Sequence, residues 1–203
     1  QKDIVRSTAP ILKENGKEIT SIFYKNMFAA HPELLDIFNQ TNQKIGTQPL
    51  ALANTIYFAA ENIDQLELLM PQVMLIAHKH RALTVKAEHY PIVGKYLLMA
   101  IREFLGDKCT EEIINAWAAA YGIIAQIFID IERRLYNELG SDEQGFVPFT
   151  IVGKEQIASG PIVALTLERP QGGKMHDYHV GQYITLRIEK DGHFHNRHYT
   201  LTE

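Results

Sequence analysis

The sequence is short of several things, and each shortage excludes something. One cysteine, Cys109, stands among 203 residues, so an internal disulfide or a cluster of thiolates is excluded and a reducing cytoplasm is the expected setting. There is no basic excess. Lys and Arg number 20 against 24 Asp and Glu, for a formal charge of -4, so neither a nucleic acid nor an anionic membrane is expected as a partner. The most apolar run, AWAAAYGIIAQIFI at 116–129, is broken by Gln126 and falls short of the ~20 residues of a bilayer span, so no membrane span is expected. No basic stretch followed by an apolar core opens the chain. Internal repeats, low-complexity runs and a glycine-rich dinucleotide fingerprint are absent too. The chain opens on Gln1 and stops at RHYTLTE inside a strand-like pattern, which leads us to expect a piece of something longer.

What is present divides into two periods. The hydrophobic share of 46% is enough for one large domain or two small ones. From Lys2 to about Leu139 apolar residues recur at three and four, which predicts helices throughout. One should end near His31-Pro32 with a short helix after it. Others should cover TQPLALANTIYFAAENI, residues 66–83, KAEHYPIVGKYLLMAIREFL and a longest one from Cys109 to Leu139. Pro71 and Pro91 should sit in first turns or at kinks. Residues 140–146 read as a linker. From 147 to 203 short β-rich runs take over: FTIVGKEQ, PIVALTLERP, QYITLRIEK and FHNRHYTLT. KDGH (190–193) and QGG (171–173) carry turn signals between them. The expected architecture is thus a mainly helical domain, 1–139, followed by an incomplete antiparallel β-barrel whose core is thin.

Histidines 78, 80 and 89 crowd one stretch, IAHKHRALTVKAEHYPIVG. On a helix over 66–83, Leu66, Leu69, Val73, Ile76 or Ala77, and then His80 advance along one stripe. His78 lies roughly 200° around the axis from His80, so the two cannot close on one metal. His78 and His89 read as surface or capping residues. Tyr90 opens the next helix, from which its hydroxyl could reach back to the His80 ring. In the last helix Tyr121, Ala125, Phe128 and Glu132 share a face, placing a carboxylate on an apolar stripe, where it needs a partner. A histidine backed by a carboxylate and a tyrosine is an arrangement that orients and enriches a metal-binding imidazole. Spacing alone equally admits a buried polar network that only stabilises the core.

Several segments in order carry a resemblance: FYKNMF, HPELLDIFNQTNQK, IAHKH, EHYPIVG, AWAAAYG, and then GQY and RHYT. Together they resemble the flavohaemoglobins, a globin domain followed by a ferredoxin-reductase-type FAD-binding domain. The resemblance implies haem b with His80 as proximal iron ligand. Tyr24 and Gln48 match the distal polar pair, with Leu52 one turn beyond Gln48, and Phe38 the aromatic that packs on the haem. Tyr90 and Glu132 match the pair around the proximal imidazole, and Lys79 is hinted to tune the haem potential. For FAD it implies Arg197 at the phosphates, Tyr199 on the isoalloxazine and Thr200 at its reactive edge, with His198 between them and Tyr183 as a further contact. Thr200 stands where many members have serine.

The activity so implied is that of a nitric oxide dioxygenase, in which electrons pass from NAD(P)H through FAD to haem, and O2 and NO become nitrate. A monomer is expected. The rival reading is a globin that binds or senses oxygen without turnover, and a third is a helical domain with no cofactor.

Overall fold

The structure is a computed structural model, and it describes residues 1–38, 47–138, 145–157, 160–170, 172, 178–190 and 192–202. Among them lie helices α1 (Lys2–Ala30), α2 (Thr47–Glu61), α3 (Met70–Ala82), α4 (His89–Leu105) and α5 (Glu111–Asn137), then strands β1 (Thr150–Ile157), β2 (Ile162–Glu168), β3 (Tyr183–Lys190) and β4 (His193–Thr200). Short 3-10 turns cover Pro32–Asp36, Leu66–Leu69 and Gly106–Lys108.

The helix ends follow local chemistry. Helix α1 stops at His31, where Pro32 opens a 3-10 turn. Pro10 lies inside α1, a position the sequence reading does not single out. It sits on the exposed side, where water can satisfy the carbonyl that its missing N–H leaves free. The single helix expected over 66–83 divides in two, a 3-10 turn and then α3, with Pro71 in the first turn of α3. A proline there has no helical N–H partner to lose. Helix α5 is capped by Thr110, whose side chain accepts from the Ile113 N–H at 3.3 Å, and Glu111 and Glu112 face the positive end of its dipole.

Two clusters make the core. The first joins Val5, Ile19, Phe23 and Met27 of α1 to Leu97, Ala100 and Ile101 of α4 and Trp117 and Ala120 of α5. A Cβ on Gly16 would stand 2.9 Å from that of Ala53, so the glycine is what lets α1 and α2 cross so closely. The Trp117 indole N–H donates to Thr8 Oγ1 at 3.1 Å, leaving the ring satisfied where it is buried. The second cluster joins Leu69, Val73 and Ala77 to Tyr90 and to Ala125, Phe128, Ile131 and Leu135. Helix α5 therefore runs through both.

By length and composition alone α5 is long and apolar enough to cross a membrane, although only 28% of its most apolar window is buried. The core helix of a folded domain passes the same test. Within the fold its apolar stripe is covered by the other helices, from Ala116 to Leu135.

The strands form two separate antiparallel pairs, β1 with β2 and β3 with β4, and no closed barrel exists among the described residues. Lys190 pairs with His193 across a two-residue connection, and Gly192 takes φ 75°, the left-handed value a tight hairpin demands. Gly172, with φ 67°, makes the other expected turn.

Thr84, just past α3, is the only non-glycine residue at positive φ among those described, with φ 58°. The Val85 N–H donates to the His80 carbonyl at 2.9 Å, closing the helix directly behind His80. A β-branched residue is strained in this conformation. Thr84→Gly should therefore raise stability by up to about 1 kcal/mol, or about 2–4 °C in thermal midpoint; calorimetry showing no rise would mean the turn is unstrained.

Candidate functional site

Three helices converge on one imidazole. His80 lies in the last turn of α3, Tyr90 in the first turn of α4, and Glu132 on the buried face of α5. The Nδ1 of His80 is 2.7 Å from Glu132 Oε1 and 3.1 Å from the Tyr90 hydroxyl. The Tyr90 hydroxyl donates to the same Glu132 oxygen at 2.7 Å. Glu132 is 3% exposed, so its carboxylate must be satisfied from within.

The chemistry of the partners fixes where the protons sit. Burial and the Glu132 carboxylate push the Tyr90 phenol far above the ordinary tyrosine range, so it stays protonated and donates. A carboxylate can only accept, so a proton belongs on Nδ1, and in the neutral ring the lone pair is then on Nε2. Nε2 has no hydrogen-bond partner among the described residues, while the side chain is 31% exposed. The imidazole therefore offers an oriented donor on its open side.

Further contacts hold this triad still. Tyr121 donates its hydroxyl to the Tyr90 carbonyl at 2.6 Å, and a Cβ on Gly94 would overlap the Tyr121 ring. The glycine of EHYPIVG thus makes room for the tyrosine of AWAAAYG. Tyr136 donates to the Val85 carbonyl at 2.8 Å, with burial pushing its phenol up to about 12, and so ties α5 to the turn behind His80. The Phe128 ring centre lies 5.5 Å from that of His80. The sequence reading placed Tyr121 on the Glu132 face but assigned no role to it, to Gly94 or to Tyr136. No spacing rule marks them, because each acts on a residue far along the chain.

The expected distal residues form an aromatic group. Tyr24 is buried, with ring centres 4.7 Å from Phe23, 5.6 Å from Phe28 and 5.7 Å from Phe38. Leu52 packs against the same cluster, half-buried. Gln48 falls in the first turn of α2, and its side chain lies outside the described residues. Lys79 and His78 are exposed. His89 is half-buried, and its Nδ1 accepts from the Lys86 N–H at 3.0 Å, which closes the turn before α4.

The expected flavin residues gather at the open end of the β3–β4 hairpin. Tyr183 pairs with Thr200, Thr185 with His198 and Leu186 with Arg197. Alternation along the strands puts Tyr183, His198 and Thr200 on one face and Arg197 and Tyr199 on the other. The Tyr183 and His198 rings meet at 4.7 Å, and Thr185 Oγ1 is 2.9 Å from His198 Nδ1. Burial, assisted by the positive charge of Lys79, holds the His198 imidazole below its usual range. RHYT is therefore two short patches, not one.

Comparison with known proteins places this arrangement. The Globin family model matches residues 21–128, more than half of the chain, and the chain belongs to the globin family. Over its full length it resembles the flavohemoproteins in particular. A flavohemoprotein of Halalkalibacterium halodurans is 48% identical over 206 residues, covering 100% of this chain and 50% of the relative. The chain spans about half the length of the curated relatives it matches. The crystal structure of a flavohemoglobin from Malassezia yamatoensis with bound FAD and haem superposes with a TM-score of 0.90 at 31% identity, covering 100% of this chain and 53% of that one. A bacterial globin from Campylobacter jejuni is 46% identical with a TM-score of 0.65, covering 68% of this chain and 97% of that one.

The residues present fit a haem. Among those described, no three His, Cys, Asp or Glu side chains come together to hold a metal ion. An imidazole oriented through Nδ1, with Nε2 unpartnered among the described residues, and an aromatic group around Tyr24 suit a haem.

Removing the shared acceptor tests the triad. Glu132→Ala should destabilise the fold by about 2–3 kcal/mol, because it leaves Nδ1–H and the Tyr90 hydroxyl without their acceptor, whereas Glu132→Gln keeps an oxygen and should lose less. Equal urea midpoints for the two variants would show that the shared acceptor contributes nothing.

Proposed function

We propose that this chain is the haem-binding part, with the start of the flavin-binding part, of a nitric oxide dioxygenase. The observation that carries this reading is the His80 imidazole tied at Nδ1 to a carboxylate that is 3% exposed. Haem, when bound, supplies an iron at which dioxygen is activated toward nitric oxide, with nitrate as product and with electrons delivered from NAD(P)H through FAD in the intact protein.

The protein side of this chemistry is positional and electrostatic. His80 would hold the iron through Nε2. Glu132 and Tyr90 keep the proton at Nδ1 and load the ring with electron density, which favours activation over simple carriage. On the distal side Tyr24 offers a phenol proton to an anionic ligand, in a pocket that Phe28 and Phe38 help keep dry. Gln48 joins Tyr24 in this assignment, Leu52 and Phe38 shape the pocket, and Lys79 adds a positive charge beside the proximal helix. Arg197, His198, Tyr199, Thr200 and Tyr183 are assigned to FAD. We place the protein in the cytoplasm, in keeping with its single free thiol.

A second reading has its own support: a bacterial globin from Campylobacter jejuni is matched over 97% of its length by 68% of this chain. An oxygen-binding globin would use the same His80 and Tyr24 without turnover.

Two measurements follow. The haem-reconstituted chain should show a Soret band that shifts with carbon monoxide, and His80→Ala should disrupt it; a folded parent that forms no stable haem complex would sink the proposal. Tyr24→Phe should speed oxygen dissociation by about tenfold to a hundredfold, the loss of one hydrogen bond to a charged acceptor. An unchanged rate in stopped-flow would remove Tyr24 from the distal role.

A further inference from the structure

Among the described residues, the helical part and the β3–β4 hairpin meet at a built contact. Asp36 ends the 3-10 turn Pro32–Asp36, two residues before Phe38. Its carboxylate Oδ1 accepts from the Phe194 N–H at 3.3 Å, and its backbone carbonyl accepts from Asn196 Nδ2 at 2.9 Å. The two strand residues are separated by one position, so both engagements sit on alternate rungs of β4, on one face.

Behind this contact stands a second layer. Asn196 Oδ1 accepts from Arg187 Nε at 3.1 Å. The Arg187 guanidinium lies 3.8 Å from the Phe146 ring centre and 5.3 Å from that of Phe194. Burial holds the Arg187 guanidinium below its ordinary range, and the Asp36 charge across the boundary partly opposes that. One asparagine therefore binds the globin turn with its amide nitrogen and the neighbouring strand with its amide oxygen, while the arginine so fixed clamps the chain entering β1. Aspartate, asparagine and arginine are each half-buried, which strengthens the contact over an exposed one.

The geometry has a consequence for the hairpin face. Arg187 pairs with Asn196, Thr185 with His198 and Tyr183 with Thr200, so alternate rungs place all six on one face. That face is the one fastened to Asp36. Its far end carries His198, which feels the charge of Lys79, the neighbour of His80.

We propose that Asp36 and Asn196 form a two-point latch that holds the Tyr183–His198–Thr200 face of the hairpin at a fixed station against the haem-binding helices. This rests on the haem and flavin reading above, and makes Asp36 and Asn196 positioning residues for electron transfer between the two cofactors. Neither touches a cofactor in that assignment. The latch works because it grips a backbone carbonyl and a backbone N–H as well as side chains, so it sets strand register and orientation together.

The test uses the haem-loaded chain with Cys109→Ser and a thiol-reactive dye on Thr202→Cys, an exposed position just past β4. Haem quenches such a dye with a steep dependence on distance. Asp36→Ala and Asn196→Asp should lengthen the dye lifetime and speed hydrogen exchange of the Phe194 amide by about tenfold. Asp36→Asn, which keeps an oxygen acceptor, should stay close to the parent in both. The Soret band and helical circular dichroism should be unchanged throughout, which separates latch loss from unfolding. Parent-like lifetime and exchange in both disrupting variants would overturn the latch. A parent without a Soret band would instead overturn the haem reading, and Phe194 exchange would then decide the latch alone.

Discussion

The junction of α3, α4 and α5 depends on one buried carboxylate. Glu132, 3% exposed in the middle of an apolar stripe, is tolerable only because two donors from two other helices reach the same oxygen. Those donors are the His80 Nδ1–H and the Tyr90 hydroxyl. The arrangement forces α3, α4 and α5 into register, since a shift of one turn in any of them would strand a charge away from water. It also fixes the imidazole tautomer, and with it the direction in which the free lone pair can act.

The rest of the fold serves that constraint through close approach. Helix α5 links both core clusters, with Trp117 satisfied by Thr8 at one end and Tyr136 holding the turn after α3 at the other. Gly94 lets the Tyr121 ring settle against α4, from where its hydroxyl fixes the Tyr90 backbone. Thr84 accepts a left-handed conformation so that the chain can turn directly behind His80. Each is a local concession that keeps the three polar groups within hydrogen-bond distance.

The β part obeys a different economy. Two strand pairs without closure expose much of their apolar surface, Ile151 at 59% and Ile162 at 62% among them, and such pairs are marginal by themselves. The β3–β4 pair meets the helices through the hydrogen bonds of Asp36 with Phe194 and Asn196. That exposure explains why a polar contact can govern how the hairpin meets the helices: with little apolar area holding the boundary, a few hydrogen bonds decide the geometry.

By itself the sequence determined what its periodicities encode. The helical stripes, the buried face running from Ala125 through Phe128 to Glu132, the strand pattern after residue 147 and the glycine turn at 192 are all local, set by spacing and by backbone preference. Motif order, through the family resemblance, is what points to His80, Tyr24 and the hairpin end. Only the tertiary structure decided that Tyr90 and Glu132 meet on one Nδ1, since residues 42 positions apart are brought together by helix packing and not by any spacing. It alone divided 66–83 into a turn and a helix, gave Gly94 its purpose, split RHYT between two faces, and joined Asp36 to Asn196 across 160 positions. Periodicity specifies which face of an element is buried, whereas the partner of a buried polar group is chosen by the three-dimensional need to satisfy it.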